Sequence, residues 1–408
     1  MYAAKHIKAR LQLMMFLQFF AWGSWYHFAG NYMRGKDMGD LIYLVYMACP
    51  VGSIVAPFFI GMIADRFFPV QKVLGVLHLL SGFFILYAPF WIEGPIVSQG
   101  LFITFIWLNM LLYMPTLGLA TSTAFHNLKD PDRDFPLTRA VGTIGYIAAG
   151  ILVSYFLKGD STRLPMHVAG LAGMLLGIYS FTLPHVPPPA AGKKVTFRDI
   201  VGIEALYQLR SKSFYVFIAS LLLISIPVAT WAMYVPLFLN DAGFDNPGFK
   251  MTFGNMSEVL FLLMLPWFFR RWGVKTIVMV GLFCWSLRFA LFAFGATDTV
   301  VWMIMLGIIL HGACYDFVYI SGQIYLDKLA PVTIRSQAQG IFVLTSYGLG
   351  QGGGTLIASW LHERIVTRQG TESLMQWETF WLIPAIFSLS VVLLFFLGSK
   401  ERKSTGIT

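Results

Sequence analysis

Long apolar runs separated by short polar loops recur along the whole chain. Twelve of these runs are long enough to cross about 30 Å of hydrocarbon as a helix. They cover residues 11–33, 41–63, 73–92, 99–125, 137–156, 164–184, 214–239, 251–269, 275–295, 300–326, 338–361 and 377–397. The pattern predicts an all-α membrane protein with twelve transmembrane helices.

The longest polar interruption, residues 185–213, divides the runs into two groups of six. It opens with prolines and continues with apolar residues at helical spacing, which predicts a linker with one amphipathic helix on the membrane surface. We therefore expect an N-terminal six-helix bundle over 1–184 and a C-terminal one over 214–408. The similar loops "RFFPVQKVLGV" and "RRWGVKTIVMV" follow the second and eighth runs, as two parallel repeats predict, and we expect each to turn sharply at its Pro or Gly.

The composition agrees with a membrane protein, because 57% of the residues are hydrophobic and only 12% are charged. Soluble domains carry about a quarter charged residues. The net charge of +9 does not indicate a nucleic-acid partner, since the basic residues flank the apolar runs. Most of the 29 Lys and Arg residues fall on the side of both termini, which predicts cytoplasmic termini. The 3 cysteines all lie inside apolar runs, so we expect no disulfide framework.

Four charged residues well inside the predicted spans stand out, namely Arg139, Glu258, Arg288 and Asp316. A charge at the centre of a membrane helix costs about 2.5–3.5 kcal/mol on insertion scales, and such residues usually face a cavity or a transport pathway. Pairing between the two cations and the two anions is the alternative. We assign Arg288, which follows Trp285 at helical spacing, to a structural role.

Arg139, Thr143 and Tyr146 are spaced i, i+4 and i+7 and so share one helical face. A cation, a hydroxyl and an aromatic ring in line suit a polar, planar ligand. This face is the candidate ligand face of the first half.

The second half offers two further spacings. Asn255 and Glu258 lie at i and i+3, and His311 and Tyr315 lie at i and i+4. Asp316 comes one residue later, about 100° around the helix. That position beside a ligand face suits a proton acceptor, whose charge a proton can remove.

Other chemistry-bearing features receive structural interpretations. His27, His78 and His167 lack the ligand-type neighbours of His311, so we expect them to be packed or interfacial. The stretch "GLGQGGG" (348–354) follows no strand, so it predicts close helix packing and not a dinucleotide site. The chain shows no metal-ligand spacing, nucleophile elbow or phosphate loop. We therefore expect neither an enzyme nor a bound cofactor.

Two levels of family resemblance follow from longer stretches. "GMIADRFFPVQK" (61–72) resembles the loop signature of the major facilitator superfamily, with Gly61, Asp65 and Arg66 in register, which implies a conformational role for this loop. The chain resembles the nucleoside:proton symporter family in "LMMFLQFFAWGSW", "YMPTLGLATSTAF", "DFPLTRAVGTIGY", "RRWGVKTIVMVGLFCWSLRFALFAFG" and "HGACYDFVYISGQIYLDKLAPVTIRSQAQG". These stretches follow one another along nearly the whole chain.

The resemblance implies the major facilitator fold and proton-coupled nucleoside import across a bacterial-type cytoplasmic (inner) membrane, by alternating access of two rocking halves. It implies contacts to the substrate from Arg139, Thr143, Tyr146, Asn255, Glu258, His311 and Tyr315, and proton coupling through Asp316 and Glu258. The implied partners are a nucleoside, a proton and membrane lipid, and we expect a monomer.

Alternatives remain open at this point. Ala229 and Ala232 stand where the family would place Gln and Asn ligands, so a nucleotide, a sugar or another polar solute is an alternative substrate. A membrane enzyme and a sensor are alternatives of a different class. An enzyme would need a catalytic nucleophile, a metal site or an acid–base pair, and a sensor would usually add a soluble output domain.

Overall fold

The computed structural model describes residues 2–59, 68–188, 203–331 and 334–399, and their regular structure is helical. The α-helices are α1 Tyr2–Gly23, α2 Ala29–Arg34, α3 Ile42–Phe59, α4 Val70–Tyr87, α5 Phe90–Glu93, α6 Gln99–Asn127, α7 Pro131–Gly150, α8 Leu164–Ser180, α9 Ile203–Gln208, α10 Lys212–Asp241, α11 Pro247–Ala296, α12 Val301–Ile309, α13 His311–Tyr315, α14 Ser321–Leu329, α15 Arg335–Val343, α16 Gln351–Ile365 and α17 Leu374–Gly398. Short 3-10 turns cover Gly39–Leu41 and Gly370–Ser373, and π-helical turns cover Ile151–Phe156, Asp316–Ile320 and Leu344–Gly350.

The helices suit a bilayer. Within the described residues, eight helical segments are long and apolar enough to cross a membrane, and Leu164–Ser180 is a shorter apolar helix. On that shorter helix, Leu171, Leu175 and Ile178 are all more than half exposed and lie on one face. Such an apolar face is stable against lipid and unfavourable in water. The predicted all-α membrane class is confirmed.

The main differences from the predicted spans are interruptions within them. The first span is not one helix to residue 33, because α1 ends at Gly23 and turns lead to α2. A Cβ at Gly23 would lie 2.8 Å from the Tyr146 ring, so α7 approaches the chain closely at this end. The eighth and ninth spans lie in α11, which Gly273 interrupts at φ 72° and ψ 163°. The sharp turn predicted there is confirmed, since a positive φ favours glycine.

Two predictions from the sequence concern residues wholly or partly outside the described ranges. Gly61, Asp65 and Arg66 lie there, as does most of the predicted amphipathic linker helix. At the end of that linker, Ile203–Gln208 is helical.

Two compact units divide the chain. The N-terminal unit comprises Met1–Val195, Met233–Asn240 and Phe244–Thr252, and the C-terminal unit comprises Thr196–Ala232, Asp241–Gly243 and Phe253–Thr408. The division at 1–184, 185–213 and 214–408 stays a prediction.

The N-terminal unit has an apolar core that includes Leu11, Met14, Leu74, Leu119 and Leu176. Its polar contacts include those of Asp160, which accepts hydrogen bonds from the Gly248 amide and the Ser154 hydroxyl, each at 2.7 Å. These contacts tie the start of α11 to the loop that precedes α8.

In the C-terminal unit, aromatic rings stack in the core. The ring centroids of Phe289 and Trp381 are 5.8 Å apart, and Trp377 stacks on Trp381 at the same distance. The "GLGQGGG" stretch packs closely against α10, because Cβ atoms at Gly350 and Gly354 would lie 2.5 and 2.6 Å from atoms of that helix. The close packing predicted for this stretch is confirmed.

Candidate functional site

The candidate face of the N-terminal unit lies on α7. Asp130 caps the start of this helix by accepting a hydrogen bond from the Arg133 amide, and Pro131 occupies its first turn. Two turns further on, Arg139 Nη1 lies 3.5 Å from Thr143 Oγ1, a long contact along the shared face. Tyr146 continues this face one turn later and is half-buried.

Small residues bring α7 against α1. A Cβ at Gly142 would lie 2.5 Å from the Phe19 ring, and one at Gly145 would overlap the carbonyl of Phe16. Glycines at these crossings let two membrane helices approach closely. The side chains of α1 therefore form the immediate surroundings of the candidate face.

Aromatic rings make up much of those surroundings. The Arg139 guanidinium carbon lies 3.9 Å from the centre of the Phe19 ring, which is a cation–π contact. Tyr146 packs edge-on against Trp22 at 6.4 Å and against His27 at 5.7 Å. Within the described part of the chain, Arg139 forms no ion pair, so most of its five N–H donors remain available to a ligand.

The candidate face of the C-terminal unit surrounds a break between α12 and α13. The Gly312 amide donates to Ser257 Oγ at 2.9 Å, and that hydroxyl donates to the Ile309 carbonyl at 2.5 Å. A side chain that inserts into the backbone ladder in this way bends a helix. Gly312 permits the approach, because a Cβ there would lie 2.5 Å from the backbone of Ser257.

Arg288 completes this break from α11. Its Nε donates to the Gly307 carbonyl at 2.8 Å and its Nη2 to the Ile308 carbonyl at 3.3 Å. Carbonyls in the last turn of a helix lack internal partners, and a cation there also complements the helix dipole. The guanidinium lies between two indoles, 4.7 Å from Trp231 and 4.9 Å from Trp285. These contacts explain how a fully buried cation is accommodated.

The third contact of Arg288 fixes the proton position on His311. Arg288 Nη1 lies 3.3 Å from His311 Nδ1, and arginine can only donate, so Nδ1 accepts. The proton of a neutral His311 ring is then on Nε2, which lies 3.9 Å from Glu258 Oε2. Trp231 stacks on the His311 ring with centroids 4.3 Å apart and holds its plane.

A ladder of rings continues from this histidine along the same helix. Tyr315 lies 5.7 Å from His311 and stacks on Tyr319 at 5.0 Å. The Tyr315 hydroxyl bonds to that of Tyr347, and the Tyr319 hydroxyl bonds to Ser225 Oγ at 2.7 Å. Each of the two tyrosine side chains is thus positioned by ring stacking and by a hydrogen bond of its hydroxyl.

Asn255 and Asp316 lie close in sequence to these groups. Asn255 is buried one helical turn before Glu258 on α11. Asp316 is fully buried and is the first residue of a π-helical turn, and Ser321 Oγ donates to its backbone carbonyl at 3.1 Å. Such turns are rare and occur frequently at functional sites.

The structure therefore brings several predicted residues together within each unit. Arg139 contacts Thr143 in the first unit, and His311 contacts Glu258 and Tyr315 in the second. Sequence reasoning missed Trp231, Ser257, Tyr319 and Tyr347. Sequence reasoning also assigned Arg288 a structural role outside the candidate site, although this residue contacts His311. The available signal was a cation inside a predicted span at helical spacing from a tryptophan.

Comparison with known proteins identifies the family. The sequence model of the nucleoside H⁺ symporter family matches residues 5–404. The chain belongs to the nucleoside H⁺ symporter family. It is a transporter and not an enzyme, and it is a multi-pass integral membrane protein.

Relatives in this family are similar over nearly the full length. The putative nucleoside transporter YegT of Escherichia coli (strain K12) is 33% identical, with 96% of this chain and 94% of the relative covered. The xanthosine permease of the same organism is 28% identical, covering 97% of this chain and 96% of that relative. The E. coli nucleoside permease NupG is also 28% identical, with 97% of each chain covered.

Solved structures agree with the family. Crystal structures of a mutant and of the unmodified nucleoside transporter NupG give TM-scores of 0.86 and 0.83 at 27% identity, each covering 97% of this chain and 100% of the other. The POT family transporter PepTSo, at 13% identity, gives a TM-score of 0.71 over 97% of this chain and 99% of its own. That likeness concerns the fold alone, and the predicted major facilitator fold is confirmed.

Proposed function

We propose that this symporter binds nucleosides through the two candidate faces and that Asp316 carries the coupled proton. The observation that carries the proposal is the Glu258–His311–Arg288 contact chain. It places a half-buried carboxylate and an oriented ring N–H beside a ladder of aromatic rings. A nucleoside presents ribose hydroxyls, base N–H groups and a planar ring system, so these groups match its chemistry.

Each group has a distinct role in this proposal. Glu258 accepts hydrogen bonds from ribose hydroxyls or base N–H groups, and Asn255 adds an amide from the same helical face. Tyr146 and Tyr315 are the aromatic rings proposed to stack on the base. Arg139 donates to acceptor atoms of the base or ribose, and Thr143 adds a hydroxyl. Arg288 is a positioning residue that acts through His311.

The geometry favours a neutral substrate over a nucleotide in the C-terminal unit. The buried cation Arg288 already donates to two carbonyls and to His311. The carboxylate of Glu258, 3.9 Å from His311, would repel a phosphate.

Asp316 is the proposed proton carrier. Its side chain is fully buried in a membrane segment, where a proton removes a charge that is costly to bury. Glu258 takes part in coupling through its contact with His311. Protonation in this position changes the energy of the closed, loaded carrier, and so links proton movement to substrate movement.

Three further properties belong to the proposal. The bias of basic residues supports cytoplasmic termini, and fusion of a reporter enzyme to each terminus tests this orientation.

We also propose that the chain works as a monomer and is organised in two six-helix bundles. Light scattering of the purified protein tests the oligomeric state. The loop residues Gly61, Asp65 and Arg66 are proposed to control the conformational change.

A substrate-panel uptake experiment tests the proposed function. Proteoliposomes that contain the protein are given labelled nucleosides, a labelled nucleotide and a labelled sugar under an inward proton gradient. We expect nucleoside accumulation that a protonophore abolishes, with excess unlabelled nucleoside competing and excess sugar not competing. Accumulation of the sugar or nucleotide in place of nucleosides would contradict the assignment.

A further inference from the structure

A buried polar cluster in the N-terminal unit lies behind the candidate face. It joins Gln18 on α1, His78 and Ser81 on α4, and Asn109 on α6, and none of these side chains is more than 3% exposed. His78 and Asn109 both line a small cavity of about 10 Å³. The hydrogen bonds around this cavity fix the donor or acceptor character of each atom.

The hydrogen-bond partners of Gln18 determine the tautomer of His78. Thr116 Oγ1 donates to the Tyr113 carbonyl at 2.6 Å, so it accepts from Gln18 Nε2 at 2.7 Å. The other end of this amide, Gln18 Oε1, therefore faces His78 Nε2 at 2.7 Å and accepts a hydrogen bond from its N–H. In the neutral ring, His78 Nδ1 is then an acceptor.

The Asn109 amide is fixed in the same way by Ser81. Its Nδ2 donates to the Ser81 carbonyl at 3.0 Å and to Ser81 Oγ at 2.8 Å, which uses both of its hydrogens. The Ser81 hydroxyl donates its own hydrogen to the Asn109 backbone carbonyl at 3.3 Å. Asn109 Oδ1 is therefore a second acceptor, and Ser81 has no hydrogen left for it.

Neither acceptor receives a hydrogen bond from any residue that the structure describes. A buried polar atom left unsatisfied costs about 1–3 kcal/mol. The volume of the cavity that His78 and Asn109 line is at the lower limit for one water molecule, which needs about 10–15 Å³ and two to four polar partners.

We propose that one structural water molecule occupies this cavity and donates its two hydrogens to His78 Nδ1 and Asn109 Oδ1. Two donors on one small molecule match two acceptors that lack donors. The alternative occupant is a proton on Nδ1 that bonds directly to Asn109. No carboxylate lines the cavity among the described residues, so the resulting imidazolium would be buried without a counter-charge.

The water joins α4 to α6 beside a wall of rings. Tyr113 packs against His78 at 5.7 Å and against Trp22 at 5.9 Å, and Trp22 packs against Tyr146. The water therefore supports the rings behind the candidate face. Its presence follows from the polar cluster alone, and only its consequence for transport rests on the proposed function.

An experimental structure of the unaltered full chain in lipid nanodiscs, at a resolution that shows ordered waters, tests the proposal directly. We expect a density peak at hydrogen-bond distance, about 2.7–3.1 Å, from both His78 Nδ1 and Asn109 Oδ1. An empty cavity, or direct contact between these two atoms, would overturn it.

A double-mutant cycle gives an independent test by thermal unfolding. His78→Phe and Asn109→Leu each remove one partner of the water, so the loss of Tm in the double variant should be smaller than the sum of the single losses. The control pair is Asn109→Leu with Thr121→Val, whose hydroxyl bonds within its own helix to the Leu117 carbonyl. In the control pair, the loss of Tm in the double variant should equal the sum of the two single losses. The same additivity in the His78 and Asn109 pair would count against a shared water.

Discussion

Arg288 Nη1 lies 3.3 Å from His311 Nδ1, and this contact decides which ring nitrogen faces Glu258. A lone carboxylate beside a freely rotating histidine would have no defined donor next to it. With Nδ1 occupied and the ring stacked on Trp231, the Nε2 proton is directed towards the carboxylate. The buried arginine thus orients groups proposed to bind the substrate, in addition to stabilising a break between two helices.

Replacement of Arg288 by lysine should weaken nucleoside binding although the charge is kept. An ammonium cannot reproduce the planar fork that reaches two carbonyls and a ring nitrogen. We expect Arg288→Lys to raise the KM for uptake about tenfold, or about 1.4 kcal/mol. Uptake kinetics in proteoliposomes measure this change.

The control for this variant is Arg364→Lys. Arg364 lies over Trp360 at 4.1 Å but occurs on an exposed helix face, so its replacement should leave KM unchanged. An unaltered KM in Arg288→Lys, with the same protein stability as the unaltered chain, would remove Arg288 from the site.

Replacement of Glu258 by glutamine should weaken binding by about 1.5–3 kcal/mol, the range for hydrogen bonds to charged groups. The loss arises because a neutral amide accepts more weakly from the hydroxyls or N–H groups of the nucleoside. Isothermal titration of the purified variant measures it. Glu363→Gln is the control, since Glu363 is exposed and accepts a local hydrogen bond from Ser359. Normal affinity combined with poor folding would assign Glu258 to structure.

Replacement of Arg139 by alanine should abolish measurable nucleoside binding and leave the protein inserted and folded. The Arg139 side chain is half-buried, and in the described residues it has only Phe19 and a long contact to Thr143 as partners. Its loss therefore removes ligand contacts with little loss of internal ones. Calorimetric titration checks the binding, with Arg133→Ala at the exposed start of the same helix as the control. Wild-type affinity of Arg139→Ala would refute the role.

Addition of a methyl group at Gly312 should disrupt the crossing of α11 and α13. The new Cβ would lie 2.5 Å from the backbone of Ser257, which cannot move aside as a flexible side chain could. We expect Gly312→Ala to lose about 1–3 kcal/mol of stability, as overpacking commonly does. Thermal unfolding measures the loss. Gly353→Ala, with no atom within 4 Å of the new Cβ, should be neutral or slightly stabilising. Equal stability of both variants would show that the crossing is looser than described.

The helices could be predicted from the sequence because burial in lipid imposes one rule on every span. A backbone in hydrocarbon must satisfy its own hydrogen bonds, so each long apolar run forms a helix. The interruption at Gly273 could also be anticipated, since glycine adopts a positive φ without steric cost. The break at Gly312 could not, because it depends on a hydroxyl from Ser257, more than fifty residues away in the chain.

The candidate site was predictable only where it depends on one helix. Arg139, Thr143 and Tyr146 share a face by spacing alone, and so do His311 and Tyr315. Contacts between helices, such as that of Arg288 on α11 with His311 on α13, depend on how these two helices pack against each other. Helical periodicity gives the direction of a side chain on its own helix and does not give its partner on another.

The most direct test of the central claim, that Asp316 carries the coupled proton, is concentrative uptake by Asp316→Asn. Asparagine keeps the shape of the side chain and cannot lose or gain the charge. In proteoliposomes under an inward proton gradient, we expect this variant to bind nucleoside and to exchange it between equal concentrations, but not to accumulate it. Asp327→Asn, at a half-exposed carboxylate of the neighbouring helix that pairs with Arg335 at 3.8 Å, should accumulate normally. Gradient-driven accumulation by Asp316→Asn at the level of the unaltered protein would contradict the claim.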